Sequence, residues 1–428
     1  MTPAARAGAA IEILDQVLAA ARSGGAAADT IVSRYFATRR YAGSKDRRAV
    51  RELVYRAIRG WPEVPPSGRA ALLGLAAADP ELLALFDGSP HGPGPVGEAE
   101  VLGPRQGAVP AWLAPRLDPL VGDEEGAALL GRAPLDLRVN RLRGTREQAL
   151  AMLPEAVPAP LSPLALRLPD GTRVEETEAW RSGLVEVQDE GSQLLALACG
   201  LRPPDPTPFV PSEVEGRGTQ SEGAPLDFAR DERALGAAQT VVDLCAGAGG
   251  KTLALAAEMG NEGRLVASDV DRGRLSRMPP RLSRSGVTNV ETRLLDPNRE
   301  REALADVAGA ADLVLVDAPC SGTGTWRRNP ELRWRLTPER LERFVKTQAY
   351  LLDLAWELVR PDGVLVYAVC SLLAEEGRGQ AEAFGGRSSA VSESPPIPGG
   401  RAAGPGRLLT PAHDGTDGFF VARWRRPC

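Results

Sequence analysis

Two thiols are the groups in this chain best placed by their surroundings to do chemistry. Cys320 closes the run Leu315-Val316-Asp317-Ala318-Pro319-Cys320-Ser321-Gly322, and Cys370 closes Leu365-Val366-Tyr367-Ala368-Val369-Cys370-Ser371. Each apolar run reads as a buried strand ending in a turn, so both sulfurs are expected at one edge of a parallel sheet, where such sheets hold ligands. A pair of thiols suits chemistry on a pyrimidine ring. Carbon 5 of cytosine is a poor nucleophile until a thiolate adds to carbon 6; it then accepts a methyl group, and a base must remove the carbon-5 proton before the enzyme is freed. One thiol would attack and the other would assist release. The competing reading is that both are small apolar residues buried at strand ends.

A glycine-rich turn, Cys245-Ala246-Gly247-Ala248-Gly249-Gly250-Lys251, follows the earlier apolar run Val241-Val242-Asp243-Leu244 and opens a helix. Its glycines let the backbone approach a ligand at the helix N-terminus. As a dinucleotide fingerprint it fails at Thr252, where the third glycine should stand. As a phosphate-binding loop, Gly250-Lys251-Thr252 fits, but Cys245 replaces the leading glycine and little in the sequence completes a nucleotide hydrolase. S-adenosylmethionine suits it better: Asp269, ending the next strand, can bind both ribose hydroxyls, and Asp243 can hold the loop or the cofactor's amino group. Asp271 is a weaker ribose candidate, and either aspartate could instead cap the helix starting near Arg272.

The elements that must position these groups follow from periodicity. Residues 1–86 carry apolar positions at helical spacing (Ile11, Leu14, Val17, Leu18; Ala49, Leu53, Val54, Ile58) and no strand-like alternation, which predicts a small all-α domain. Residues 87–109 are dense in Gly and Pro and read as a linker. In 110–186, Leu135 to Asn140 alternates as a strand, Thr145 caps a helix, and Leu164 to Leu168 alternates again. From 187 to 428, short uninterrupted apolar runs alternate with helical segments, which predicts a doubly wound α/β sheet. The proline-rich stretch 203–236 reads as a disordered insertion and 385–406 as an exposed flexible loop.

Composition bounds the rest. The net charge is −5, and a basic stretch at 34–59 is opposed only by Asp46 and Glu52. A second one, with Arg327, Arg328, Arg333 and Arg335 interleaved with Trp326 and Trp334, follows the Cys320 turn and reads as a single-stranded RNA contact; the alternative is a solvated helix face with its aromatics turned inward. The five cysteines show no C-x-x-C spacing and there are two histidines, which argues against a metal site or a disulfide framework and for a reducing cytoplasm. No uncharged run is long enough to span a membrane.

The two cysteine segments, the glycine-rich turn, Val187-Gln188-Asp189-Glu190-Gly191-Ser192-Gln193 and the stretch from Ser44 to Arg56 resemble the RNA cytosine-5 methyltransferases of the RsmB/NOP2/Sun family, over nearly the whole chain. The resemblance implies a Rossmann-like class I S-adenosylmethionine-dependent methyltransferase core, an all-α NusB-like N-terminal domain that binds RNA, and a small α+β RNA-recognition-like subdomain. It implies that Cys370 is the nucleophile and Cys320 the releasing base, since DNA enzymes attack with the Pro-Cys cysteine instead. Asp317 and Lys251 would engage the cytosine. S-adenosylmethionine would contact Cys245, Ala246, Gly247, Ala248, Gly249, Gly250, Lys251, Asp269, Asp296 and Asp317. The implied substrate is 16S-type ribosomal RNA, acted on by a cytoplasmic monomer without metal. Ala248 and Ala374 stand where the family commonly has Pro, and Val369 where it has Thr. A catalytically impaired RNA-binding relative, or a cytosine-5 methyltransferase acting on tRNA or DNA, stays open on the sequence.

Overall fold

The computed structural model describes residues 1–100, 107–201 and 239–428. The expected insertion at 203–236 and residues 101–106 of the expected linker lie outside the described residues.

The N-terminal region is helical, with helices Pro3–Ser23, Ala28–Ala37, Ser44–Arg59, Gly68–Ala76 and Pro80–Leu83. The first is capped by Thr2, whose hydroxyl accepts the Ala5 amide at 3.1 Å, and it stops at Gly24 in a left-handed conformation. Ile13, Leu14, Val17 and Leu18 lie on one face at helical spacing and bury against Val50, Val54, Ile58 and Leu72.

The middle region forms a four-stranded antiparallel sheet from β1 (Leu135–Val139), β2 (Val157–Pro158), β3 (Ala165–Leu168) and β4 (Val185–Val187), in the order β2-β3-β1-β4. Thr145 caps the intervening helix Arg146–Met152 in a reciprocal box with Gln148.

The remaining strands are β5 (Thr240–Asp243), β6 (Arg264–Asp269), β7 (Val290–Leu294), β8 (Ala311–Asp317), β9 (Val359–Val369), β10 (Val391–Glu393), β11 (Arg401–Ala403), β12 (Gly406–Leu409) and β13 (Phe419–Arg425). They make one nine-stranded sheet, β11-β12-β13-β9-β8-β5-β6-β7, with β10 also paired to β13. The ladders from β9 across to β7 are parallel and those on the β13 side antiparallel. The chain runs outward from β5 to β6 and β7, then returns to place β8 on the other side of β5. That reversal makes the crevice beyond the β5 and β8 strand ends the ligand position.

Residues 385–406 depart from the expected flexible loop. They hold the end of the helix Arg378–Arg387 and then β10 and β11, which pair with β13 and β12. Ile397 is buried, and Glu393 accepts from Arg423 at 2.8 Å and Arg425 at 2.6 Å. The low-complexity composition concealed strands short enough to take their order from the neighbouring strands β12 and β13.

The helical region docks on the segment that follows Cys320. Trp334 joins the helical core and donates its indole N–H to the Trp61 carbonyl at 3.0 Å. Glu331 accepts the Ala28 amide at 3.1 Å, and Arg333 reaches the carbonyls of Ile58 at 2.8 Å and Ala108 at 2.7 Å. Trp334→Ala empties this junction of its largest apolar side chain and is expected to cost about 3 kcal/mol. Denaturant unfolding of the full chain measures it, and a change below about 0.5 kcal/mol, the range of an ordinary surface substitution, would mean the junction contributes little to stability.

Candidate active site

Three strand ends meet in the crevice. β8 and β9 pair in parallel from Leu313 with Val364 to Asp317 with Ala368, so the turns after them start level with each other. Cys320 and Cys370 face across that edge with their sulfurs 3.3 Å apart, each able to donate to the other. The bond to Cys370, followed by burial and the negative charge of nearby Glu376, holds the Cys320 thiol well above the usual thiol range. These surroundings favour the protonated form of Cys320.

Lys251, from the helix Gly250–Glu258, donates to Asp317 at 2.6 Å. Burial, the largest single effect, pulls its pKa down, but Asp317 together with Cys370 and Asp243 more than compensates and raises it, so the ammonium stays charged. The pair places a cation and a carboxylate within reach of one polar ring.

The glycine-rich turn is shaped by hydrogen bonds to its flanks. Gly247 donates to Asp269 Oδ2 at 2.8 Å, Ala246 to the Ser268 carbonyl at 2.9 Å, and Gly249 to the Ala246 carbonyl at 2.9 Å. Gly249 has φ +87°, and a Cβ there would lie 2.7 Å from Met278, so both conformation and space require glycine. Ala248 gives its carbonyl to Arg281 at 2.5 Å, and Gly250 gives its own to Arg138 at 2.9 Å. Burial, reinforced by Asp269, Asp243 and Asp317, keeps the Cys245 thiol far above its ordinary pKa.

The residues fit S-adenosylmethionine. Asp243 is fully buried; its Oδ2 accepts from Thr252 at 2.7 Å, while its Oδ1 has no hydrogen-bond partner in the protein, an acceptor suited to the donor's cationic amino group. Burial pushes its pKa up to about 7. Asp269 is oriented by the amides of Gly247 and, at 2.7 Å, Asp271. Asp271 itself caps the helix Arg272–Leu275 by accepting the Arg274 amide at 3.0 Å, leaving Asp269 as the carboxylate at the strand end. Asp296 is exposed just beyond β7.

The arginines expected to contact RNA are a correction. Arg327 is buried against Asp417, and Arg328 bridges Asp417 at 2.6 Å and Asp189 at 2.8 Å. Arg333 is buried among backbone carbonyls, its pKa lowered to about 10 by burial, and Arg335 donates to the carbonyls of Gly25 and Ala26. Trp326 and Trp334 are buried as well. These four guanidiniums hold the protein's own segments together, Arg327 and Arg328 by pairing buried carboxylates and Arg333 and Arg335 by supplying donors to buried backbone carbonyls.

Sequence reasoning missed the buried polar residues behind the thiols. Glu376, Gln348, Ser321, Thr323 and Ser371 form one hydrogen-bonded cluster under both cysteine turns. The available signals were a serine directly after each cysteine and Glu375-Glu376, which stand where the family commonly has the last two residues of Pro-Glu-Glu. Arg138, which holds the Gly250 carbonyl, gave no signal beyond being a cation in a strand. Among the described residues, no group of three or more His, Cys, Asp or Glu is placed to hold a metal ion, and no helix is long and apolar enough to cross a membrane.

A parallel sheet with this reversal point, a glycine-rich turn after β5 and a carboxylate at the end of β6 define a Rossmann-like S-adenosylmethionine-dependent methyltransferase. Residues 234–425 match the family described as 16S rRNA methyltransferase RsmB/F. The protein called ribosomal RNA small subunit methyltransferase B in Xylella fastidiosa (strain 9a5c) is 35% identical over 324 residues, covering 74% of this chain and 68% of that protein. The protein of the same name in Salmonella typhi is 32% identical over 323 residues, covering 73% and 65%. The chain belongs to this family and spans about two thirds of the length of these relatives. Its fold is shared with the solved structure of PH0851 (22% identity, TM-score 0.71, covering 100% of this chain and 99% of that one) and with that of NSun6 from Pyrococcus horikoshii with SFG (20%, 0.57, 72% and 95%).

The Asp243 carboxyl gives this site a pH signature. Its pKa lies near 7 in the free protein, and a bound ammonium favours the anion, so the complex holds fewer protons. Affinity for S-adenosylmethionine is therefore expected to rise as pH increases through about 7, by up to roughly tenfold per unit. Calorimetry in buffers of different ionisation enthalpy should register proton release on binding, and Asp243→Asn should remove both effects. Binding that is flat with pH in the unaltered protein would place the amino group elsewhere.

Proposed function

We propose that this chain forms 5-methylcytosine in small-subunit ribosomal RNA through a covalent bond between Cys370 and carbon 6 of the base. The observation that carries this reading is the pair of sulfurs 3.3 Å apart at the strand ends. A reaction that needs a nucleophile and then a base on the same ring has a use for both. The names of the relatives support ribosomal RNA as the substrate class.

The thiols divide the work by their environments. Cys370, having lost its proton to solvent, adds as the thiolate to carbon 6, with the Cys320 thiol as hydrogen-bond donor to its sulfur. Lys251 and Asp317 meet the polar edge of the flipped cytosine, the carboxylate accepting from its amino group and the ammonium steadying charge on the ring. S-adenosylmethionine, when bound, supplies the methyl group to carbon 5. Once Cys370 is tied up as a neutral thioether its sulfur is a much weaker acceptor and carries no charge, so the contact that contributes most to raising the Cys320 pKa is weakened. Cys320 can then lose its proton to solvent and take the proton from carbon 5, as the carbon–sulfur bond to Cys370 breaks.

RNA would be met at the helical region. Arg34, Arg40, Lys45, Arg48 and Arg51 are exposed there, beside Tyr41, which is 73% exposed. The acids of that stretch are taken: Asp46 accepts from Arg6 at 2.9 Å and pairs with the N-terminal amine at 3.2 Å, and Glu52 pairs with Arg132. Phosphates would therefore face cations with little nearby opposition.

Denaturing electrophoresis after incubation with substrate RNA and S-adenosylmethionine tests the roles. Cys370→Ala should form no slow-migrating adduct and transfer no methyl group, whereas Cys320→Ala should accumulate a protease-sensitive adduct. The opposite pattern would exchange the roles. Replacing Arg48 and Arg51 together by Ala should weaken RNA binding and reduce the slope of log K against log salt by roughly 1–2. An unaltered slope would move the RNA contact off this face.

A further inference from the structure

Ser321 directly follows Cys320, Ser371 directly follows Cys370, and one buried carboxylate holds both serines. Glu376 is 0% exposed. It accepts the Ser321 amide at 2.9 Å, the Ser321 hydroxyl, the Ser371 hydroxyl at 2.6 Å and Gln348 Nε2 at 3.0 Å. Gln348, on the long helix Pro338–Leu358, also donates to the Pro319 carbonyl at 3.0 Å, so the residues on both sides of Cys320 are held. Thr323 completes the cluster: its hydroxyl lies 3.2 Å from Ser371 Oγ and accepts the Leu372 amide at 2.8 Å.

The strand ladder alone leaves this geometry unexplained. The ladder stops before either cysteine, so the 3.3 Å between the sulfurs depends on how the two turns continue. Beyond the last paired residues the turns are joined by the Gly324 amide on the Cys370 carbonyl at 3.1 Å and by the Thr323 hydroxyl, and Glu376 is the charged side chain bonded to both. An ionised carboxylate only accepts; the four donors converging on Glu376 favour its charge, and burial, the larger effect, leaves its pKa above the ordinary carboxylate value.

We infer that Glu376 is a positioning residue of the two-thiol reaction: by clasping Ser321 and Ser371 it sets the separation of Cys320 and Cys370 and fixes a negative charge behind them. This inference rests on the two-thiol reading of the activity. The charge bears on Cys320, whose thiol is lifted by Cys370, by burial and by Glu376. The other titratable groups around the pair are Tyr367, whose hydroxyl donates to the Glu376 backbone carbonyl at 2.6 Å, and Lys251 with its partner Asp317.

The test compares the full-length protein with Glu376→Gln, which keeps the side-chain shape and removes the charge. Iodoacetamide alkylation of Cys320 and Cys370 is followed by peptide mass spectrometry from neutral to alkaline pH, without RNA or cofactor, and methyl transfer is measured separately. The Cys320 alkylation midpoint should fall by about one pH unit. The kcat should drop at least about tenfold while KM for RNA stays within about twofold, the pattern of an interaction used only in the reacting complex. Ser371→Ala, which cuts one arm and leaves the carboxylate bonded, should move both readouts in the same direction by less; it decides the matter if Glu376→Gln does not fold. Unchanged alkylation midpoints overturn the inference, even in a slower variant, because a residue that only holds the fold would leave the thiols' proton affinity alone. Wild-type protein that alkylates as described but transfers no methyl group would instead overturn the proposed activity. Wild-type turnover shared undiminished by Glu376→Gln would overturn this inference alone.

Discussion

The parallel ladder between β8 and β9 ends both strands at one edge, Asp317 level with Ala368, and the site is a consequence of that register. A shift by one residue would turn every side chain of a strand to the opposite face. The antiparallel pairing of β13 along β9, from Phe420 with Val369 to Arg425 with Val364, supports β9 on its far side. On the near side β5 pairs with β8, which brings the glycine-rich turn to the same edge as the thiols. Cofactor turn, cysteine pair and the Lys251–Asp317 ion pair thus share a neighbourhood because four adjacent strands fix their ends together.

Carboxylates and burial dominate the proton affinities of this neighbourhood. Burial, with Asp317 and Asp269 for Asp243 and with Asp269, Asp243 and Asp317 for Cys245, keeps those two groups inclined to hold protons, and the Cys370 contact, burial and Glu376 do the same for Cys320. An acidic, poorly hydrated crevice favours a cationic ligand, and S-adenosylmethionine carries both an ammonium and a sulfonium. The same environment opposes making a second thiolate, which confines nucleophilic character to one sulfur at a time.

Strands of the core were legible because parallel strands buried on both faces are written as uninterrupted apolar runs, as at Leu313 to Val316 and Val364 to Tyr367. The turn at Gly247–Gly250 and the carboxylate Asp269 were legible because each needs a particular residue type at a particular strand end. The arginines after Cys320 misled because composition records that a cation is present and not whether its partner is a phosphate or a carbonyl elsewhere in the chain. Arg333 meets Ile58, 275 positions away, and no local pattern encodes such a contact. Short strands β10 and β11 were hidden for a related reason: three-residue strands carry no periodicity of their own and are ordered by the partner beside them. Glu376 escaped because its partners come from two separate turns and a helix.

The segment running from Cys320 to Arg335 joins two tasks in one short stretch of backbone, with a reactive sulfur at its start and the fastening to the helical region at its end. Trp334 belongs to the helical core although it is carried by the catalytic part of the chain. The boundary visible along the chain is therefore not the boundary in space. A shuffling event that exchanged the helical region for another module would inherit a bare indole and a buried guanidinium facing no carbonyls, so the two parts are bound to vary together, as a lock and its strike plate do.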